Sequence, residues 1–191
     1  MTEKETRVLD GDFSVGEDEF ITGYALRFNS WSEVLGGMFK ETILPEALRN
    51  TDMSNVVALL NHNEDKILGR SGANLELSVD EVGLRFKFKP TQTSYSRDLV
   101  ENMKSNLINQ CSFAMSDVTD EWNERGLNQP VERVIRSIGK LWDVSLVTTP
   151  AYSDTSATVS ARSIEKAKEV MVTKEERKNK LRKALLESAT I

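Results

Sequence analysis

A single cysteine and a single histidine stand in this chain of 191 residues. The lone cysteine excludes an internal disulfide and every zinc or iron–sulfur site built from clustered thiols. The lone histidine excludes the HExxH metal motif and any site that needs two imidazoles from one chain. No metal and no cofactor is implied. No apolar run reaches the roughly 18 residues of a membrane span, and the opening MTEKETRVLDGDFS lacks the apolar stretch of a secretory signal. The motifs GxxxxGK[ST], GxGxxG and GxSxG are all absent, so no phosphate loop, dinucleotide fingerprint or nucleophile elbow is expected. Every mechanism that needs an imidazole therefore falls on His62.

What is present suits an ordinary globular protein. Hydrophobic residues make up 39% and charged residues 29%, which argues against both disorder and a membrane protein. The length fits one domain with extensions. The net charge of −5 hides an asymmetry. Residues 1–20 hold seven acids against two bases, whereas residues 162–191 hold nine bases against five acids. The expected organisation is a flexible acidic arm over 1–18, a domain over 19–161 and a charged helical tail over 162–191. Five acids interrupt the basic residues of that tail and no aromatic side chain lies in it to stack on bases, so nucleic-acid binding is not expected.

Hydrophobic patterning gives many short strands and few helices. Strand character marks Phe20–Phe28, Phe39–Leu44, Val56–Leu60, Leu75–Val79, Gly83–Lys89, Gln110–Val118, Val131–Ile138 and Lys140–Thr148. Pro45 opens a short helical turn. The pair Leu75–Val79 and Gly83–Lys89 reads as a hairpin, with Leu84, Phe86 and Phe88 inward. Leu99, Met103 and Leu107 recur at helical spacing, which predicts a helix near 95–106 capped by Thr93 or Ser94. Asp120–Pro130 reads as a mobile loop, and a last short strand is expected near Thr158. Thr173-Lys174-Glu175-Glu176 has the spacing of a capping box, predicting a fresh helix with Leu181, Ala184 and Leu185 as its apolar stripe. The expected fold is α+β, a small, mostly antiparallel β-barrel wrapped by a few helices.

Three places could carry chemistry. His62 follows the apolar strand Val56–Leu60, where it could serve as a base or simply cap the strand. In Gln110-Cys111-Ser112-Phe113-Ala114-Met115, alternation puts the bulky Cys111, Phe113 and Met115 inward. Ser112 then shares with Ala114 and Ser116 a face of small residues that a peptide could approach. Cys111 is a stronger nucleophile in principle, but its core-facing position favours inert packing. Asp143 sits in the apolar strand Lys140–Thr148, where a carboxylate is costly unless partnered, and a partnered acid there could orient an imidazole. Asp117, Glu64 and Asp65 are weaker candidates on parity and sequence distance. Two carboxylates could also suggest a glycosidase, but nothing pairs particular acids.

These residues, taken in order, carry a resemblance. Asn61-His62, Leu68-Gly69-Arg70, Gly83-Leu84, Ser112-Phe113 and Asp143-Val144-Ser145-Leu146-Val147-Thr148-Thr149-Pro150-Ala151 resemble the tailed-phage prohead serine proteases, relatives of the herpesvirus assembly protease. Gly23-Tyr24-Ala25, Phe28-Asn29 and Phe39-Lys40-Glu41 also look like that family's opening, so the likeness spans about residues 20–160. It implies a serine endopeptidase on a herpesvirus-protease-like barrel, with His62 as base, Ser112 as nucleophile and Asp143 as the acid. It further implies action on the major capsid protein and its scaffold segment, and on the enzyme itself, inside a prohead in the host cytoplasm or from a prophage. A homodimer would be compatible. The herpesvirus relatives use a second histidine, which this chain lacks, and many phage members have Phe-Gly where this chain has Phe113-Ala114. A non-catalytic capsid or scaffold-binding assembly protein on the same barrel is the competing expectation.

Overall fold

The computed structural model describes residues 3–10, 13–16, 19–126, 129–148 and 161–188. In chain order its elements are β1 (Glu5–Asp10), β2 (Phe13–Val15), β3 (Ile21–Arg27), β4 (Phe39–Ile43), a 3-10 turn (Pro45–Leu48), β5 (Val57–Leu60), β6 (Asn63–Arg70), β7 (Leu75–Val79), β8 (Gly83–Phe88), α1 (Ser94–Lys104), β9 (Gln110–Asn123), β10 (Val131–Val147) and α2 (Ala161–Ser188).

The strands form two sheets. One is four-stranded, in the order β2-β3-β8-β7; the other is six-stranded, in the order β1-β9-β10-β5-β6, with β4 also on β10. At 17 residues, β10 is long enough to keep β9 along one edge and two parallel neighbours in succession along the other. β4 pairs with Val131–Ile135 and β5 with Asp143–Leu146. The remaining pairings are antiparallel.

The closed barrel expected from the sequence is not formed among the described residues. Both sheets instead contribute their apolar faces to one core: Leu84, Phe86 and Phe88 from β8 join Cys111, Phe113 and Met115 from β9, Val144 and Leu146 from β10, and Leu99 from α1. A layer packed between two sheets buries both faces without either sheet closing on itself. The α+β class and the β7–β8 hairpin are as the patterning predicts, with Leu75 opposite Phe88 and Val79 opposite Leu84. At the start of β8, a Cβ on Gly83 would lie 2.0 Å from the Leu26 carbonyl oxygen, so only glycine lets β8 pass β3 there.

Three expectations change. The helix α1 ends at Lys104, and Leu107 lies beyond it, 66% exposed, after Asn106 turns the chain with a left-handed φ of 56°. The loop expected over Asp120–Pro130 is shorter, because β9 continues through Asn123. Cross-strand ion pairs hold this polar ribbon, including Arg133 Nε with Asp120 Oδ2 at 2.7 Å and Arg136 Nε with Glu121 Oε1 at 2.5 Å, and such a ribbon has no apolar alternation to announce it. The capping box at Thr173 does not start a helix. The helix α2 runs unbroken from Ala161, and the Thr173 hydroxyl donates to the Glu169 carbonyl four residues back. Ser163, Ala167 and Lys174 form its buried face; Ala167 packs with Phe39 and Val131, and Lys174 Nζ donates to the Gln129 carbonyl at 2.8 Å. The Leu181, Ala184 and Leu185 side chains, the Thr149-Pro150-Ala151 motif and the strand expected near Thr158 lie outside the described residues. No described helix is long and apolar enough to cross a membrane.

The largest correction concerns the acidic arm. Its residues 5–10 are β1, paired antiparallel with β9 so that Val8 lies opposite Ser112. A buried ionic lattice holds the strand there. Arg133 Nη1 donates to Glu5 Oε2 at 2.7 Å and to Glu41 Oε2 at 3.1 Å, and Arg7 Nη2 donates to Glu41 Oε2 at 2.9 Å. Arg7 also bonds Glu5, and the Ser163 hydroxyl of α2 reaches Glu5 Oε1 at 3.2 Å. Two acids and two bases thus join β1, β4, β10 and α2.

Burial alone would raise the Glu5 carboxyl, but the hydrogen bond from Arg133 and the charges of Arg7 and Arg133 outweigh it and hold it at about 2. A depressed carboxylate stabilises the fold fully above its unfolded value and loses that contribution as pH falls through its folded value. The thermal midpoint should therefore fall as pH drops from 4.5 to about 2. Glu5→Ala should flatten that slope and cost about 3–5 kcal/mol at neutral pH, by stranding buried arginines. Calorimetry across this range checks it; an unchanged slope in the variant would contradict the role given to Glu5.

Candidate active site

Alternation along β9 places Ser112, Ala114 and Ser116 on one face and Cys111, Phe113 and Met115 in the core. On β10, Ser145 lies directly opposite Ser112 and Asp143 opposite Ala114. That placement needs an irregularity. Leu141 faces the core opposite Met115, and in an unbroken strand Asp143 would share its face. The register shifts between Leu141 and Asp143, leaving Trp142 as the extra residue, so Val144 and Leu146 turn to the core while Asp143 and Ser145 join Ser112.

His62 arrives from the β5–β6 hairpin. Leu60 pairs with Asn63, so Asn61 and His62 form a two-residue turn, and both have φ of 55°. Tight hairpins of the I′ kind require this left-handed conformation, and asparagine tolerates it better than most residues. The turn is pinned to the end of β10: the Asn61 amide donates to the Leu146 carbonyl at 2.9 Å, and the Thr148 amide donates to Asn61 Oδ1 at 2.9 Å.

The three candidate residues from the sequence meet here. His62 Nε2 lies 2.6 Å from Ser112 Oγ, and His62 Nδ1 lies 2.6 Å from Asp143 Oδ1. The Ser145 hydroxyl donates to Asp143 Oδ1 at 2.8 Å and sits 3.2 Å from His62 Nδ1. Lys4 Nζ is 3.7 Å from the other carboxylate oxygen. The Asp143 side chain is only 4% exposed, so its charge is buried and depends on these partners. Such an arrangement can pass a proton from a hydroxyl to an imidazole whose far side is held by a carboxylate.

The other candidates are not part of this cluster. Cys111 lies fully buried on the core face, where burial pushes its thiol well above the usual range and the Asp143 charge adds to the effect. A thiol kept protonated is a poor nucleophile. Asp117 takes a left-handed φ of 57° and accepts a hydrogen bond from the Ser116 hydroxyl. Glu64 and Asp65 are exposed on β6.

The face of small residues is not open as expected. Ser112, Ala114 and Ser116 are all buried, and the Trp142 indole reaches onto the face to donate to Ser116 Oγ at 2.9 Å. A depression of about 320 Å³ opens beside Asp143, walled by Val57, Leu59, Ile67 and Trp142, with charge supplied by Lys4, Glu64 and Arg70. Ser145 is not among the candidates that the sequence singles out, although its i+2 spacing from Asp143 is a usable signal. Lys4 carried no such signal, because nothing in the sequence marked its segment as a strand.

A Cβ in the left-handed region costs about 1 kcal/mol or more, which glycine avoids. His62→Gly should unfold at a higher temperature than His62→Ala, although both lack the imidazole. Equal midpoints would contradict the turn geometry.

Comparison with known proteins agrees with the resemblance seen in the motifs. Residues 4–170 match the family profile of the caudovirus prohead serine proteases, a span that takes in β1 and the first part of α2. No curated protein sequence matches the chain. Among solved structures, the capsid assembly protease of bacteriophage T4 is similar at 13% identity and a TM-score of 0.47, covering 78% of this chain and 98% of that one. A match over this much of the sequence implies a serine protease of capsid maturation, and the chain belongs to the caudovirus prohead serine protease family.

Proposed function

We propose that the protein is a serine endopeptidase that cuts the scaffold segment of the major capsid protein, and cuts itself, inside the prohead in the host cytoplasm. Ser112 is the nucleophile, His62 the general base and Asp143 the acid that orients it. The observation that carries this reading is the continuous contact from Ser112 Oγ through both nitrogens of His62 to Asp143, 2.6 Å at each step.

In the first step His62 Nε2 takes the Ser112 proton while Oγ attacks the peptide carbonyl. The resulting imidazolium keeps its Nδ1–H on Asp143, whose charge is shielded from water and so acts strongly on it. Collapse of the tetrahedral intermediate releases the amine, which takes the proton from Nε2, and leaves an acyl group on Ser112. Water, deprotonated by the same nitrogen, then frees the acid product. Ser112 is fully covered in this conformation, so a peptide reaches it only as covering side chains move aside. The depression beside Asp143 is placed to receive a substrate side chain.

Coexpression with the capsid protein tests the reading. The wild type should shorten the capsid protein, and Ser112→Ala should lower the rate by on the order of 10³-fold or more while still entering the particle. Shortening that persists in the variant would remove Ser112 from the mechanism. Particle entry with no shortening by the wild type would instead favour a non-catalytic assembly protein.

A further inference from the structure

Among the described residues, Ser145 is the one hydroxyl that touches both His62 and Asp143, the partners of the proposed nucleophile. Its side chain is fully buried, and the β9–β10 register sets it directly across from Ser112. Its Oγ lies 2.8 Å from Asp143 Oδ1 and 3.2 Å from His62 Nδ1. We propose that Ser145 is a positioning residue that fixes the tautomer and orientation of His62, an inference that rests on the Ser112–His62–Asp143 reading.

A serine hydroxyl has one hydrogen to give and lone pairs to receive with. The shorter contact assigns that hydrogen to the carboxylate, an acceptor only, so the oxygen turns a lone pair toward His62 Nδ1. Nδ1 then faces two acceptors, Asp143 Oδ1 and Ser145 Oγ, and is held in its N–H form. Nε2, the nitrogen against Ser112, is left with its lone pair free to take the serine proton. The opposite tautomer would set the Nδ1 lone pair against a buried carboxylate and draw the Ser145 proton away from it. It would also point an N–H at Ser112, which is useless for a base. The second acceptor narrows the ring's freedom, since Nδ1 must stay within reach of both oxygens. Ser145 is not a spare nucleophile, because it meets Nδ1 rather than the nitrogen that serves Ser112.

The single histidine makes this directly measurable, because a sample labelled with ¹⁵N-histidine gives the signals of one imidazole. With neutral His62, the wild type should show Nδ1 protonated and Nε2 unprotonated. Ser145→Ala should show a mixture of tautomers and react with a fluorophosphonate probe about tenfold more slowly at unchanged probe affinity. Ser145→Thr, which restores a hydroxyl, should recover both. If the alanine variant is unstable, Ser145→Cys, nearly isosteric but a weak donor, must show the same loss. A single tautomer together with a wild-type labelling rate in Ser145→Ala, beside an unreactive Ser112→Ala, would overturn this proposal alone. Retention of the label by Ser112→Ala would overturn the triad reading and this proposal with it.

Discussion

Between Leu141 and Asp143 the β9–β10 ladder takes in one extra residue, and that shift decides which side chains of β10 face the core. Upstream of it Leu141 packs inward; downstream Val144 and Leu146 do, although a regular strand would give those places to Asp143 and Ser145. Without the bulge, a carboxylate and a hydroxyl would enter an apolar core at a cost on the order of several kcal/mol, and Asp143 would leave the face that carries Ser112. With it, Asp143 and Ser145 stand on the face of Ser112, and Trp142 is freed to reach Ser116. Bulges at such positions re-aim a side chain while the rest of the ladder keeps its pairing.

Two further constraints bring the remaining parts to that face. The parallel pairing of β5 with Asp143–Leu146 carries the Asn61-His62 turn to the end of β10, where Leu146 and Thr148 fasten it. The ionic lattice of Glu5, Arg7, Glu41 and Arg133 fastens β1 along β9 and so delivers Lys4 to the second oxygen of Asp143. A lattice of this kind contributes little net stability when complete but is costly to break. Its value here lies in holding an edge strand in register beside Ser112. The acid sensitivity of the fold and the integrity of the site are thereby linked through one strand.

Much of this was legible in the sequence, and the exceptions share a cause. Alternation of apolar residues gave the β7–β8 hairpin, the inward faces of β8 and β9, and the helix α1, because burial imposes a period that residue types record. Elimination, strand face and motif order single out His62, Ser112 and Asp143 as candidates, and the fold brings those three side chains together. Polar strands left no such record. β1 is rich in charge and read as a solvated arm, yet its charges are neutralised inside the fold by Glu41 and Arg133, residues far away in sequence. The extension of β9 to Asn123 was hidden in the same way by its ion pairs with β10. The Trp142 bulge was illegible because one inserted residue leaves no compositional trace, and two open sheets bury the same alternating strands that a barrel would.

The central claim is that one buried relay activates one hydroxyl, and the site of covalent attachment of a fluorophosphonate tests it most directly. Mass spectrometry of the reacted wild-type protein should find a single adduct, on Ser112, and should find none after His62→Ala. An adduct on Ser145 or on any other residue, or equal labelling of Ser112 in the absence of His62, would contradict the account.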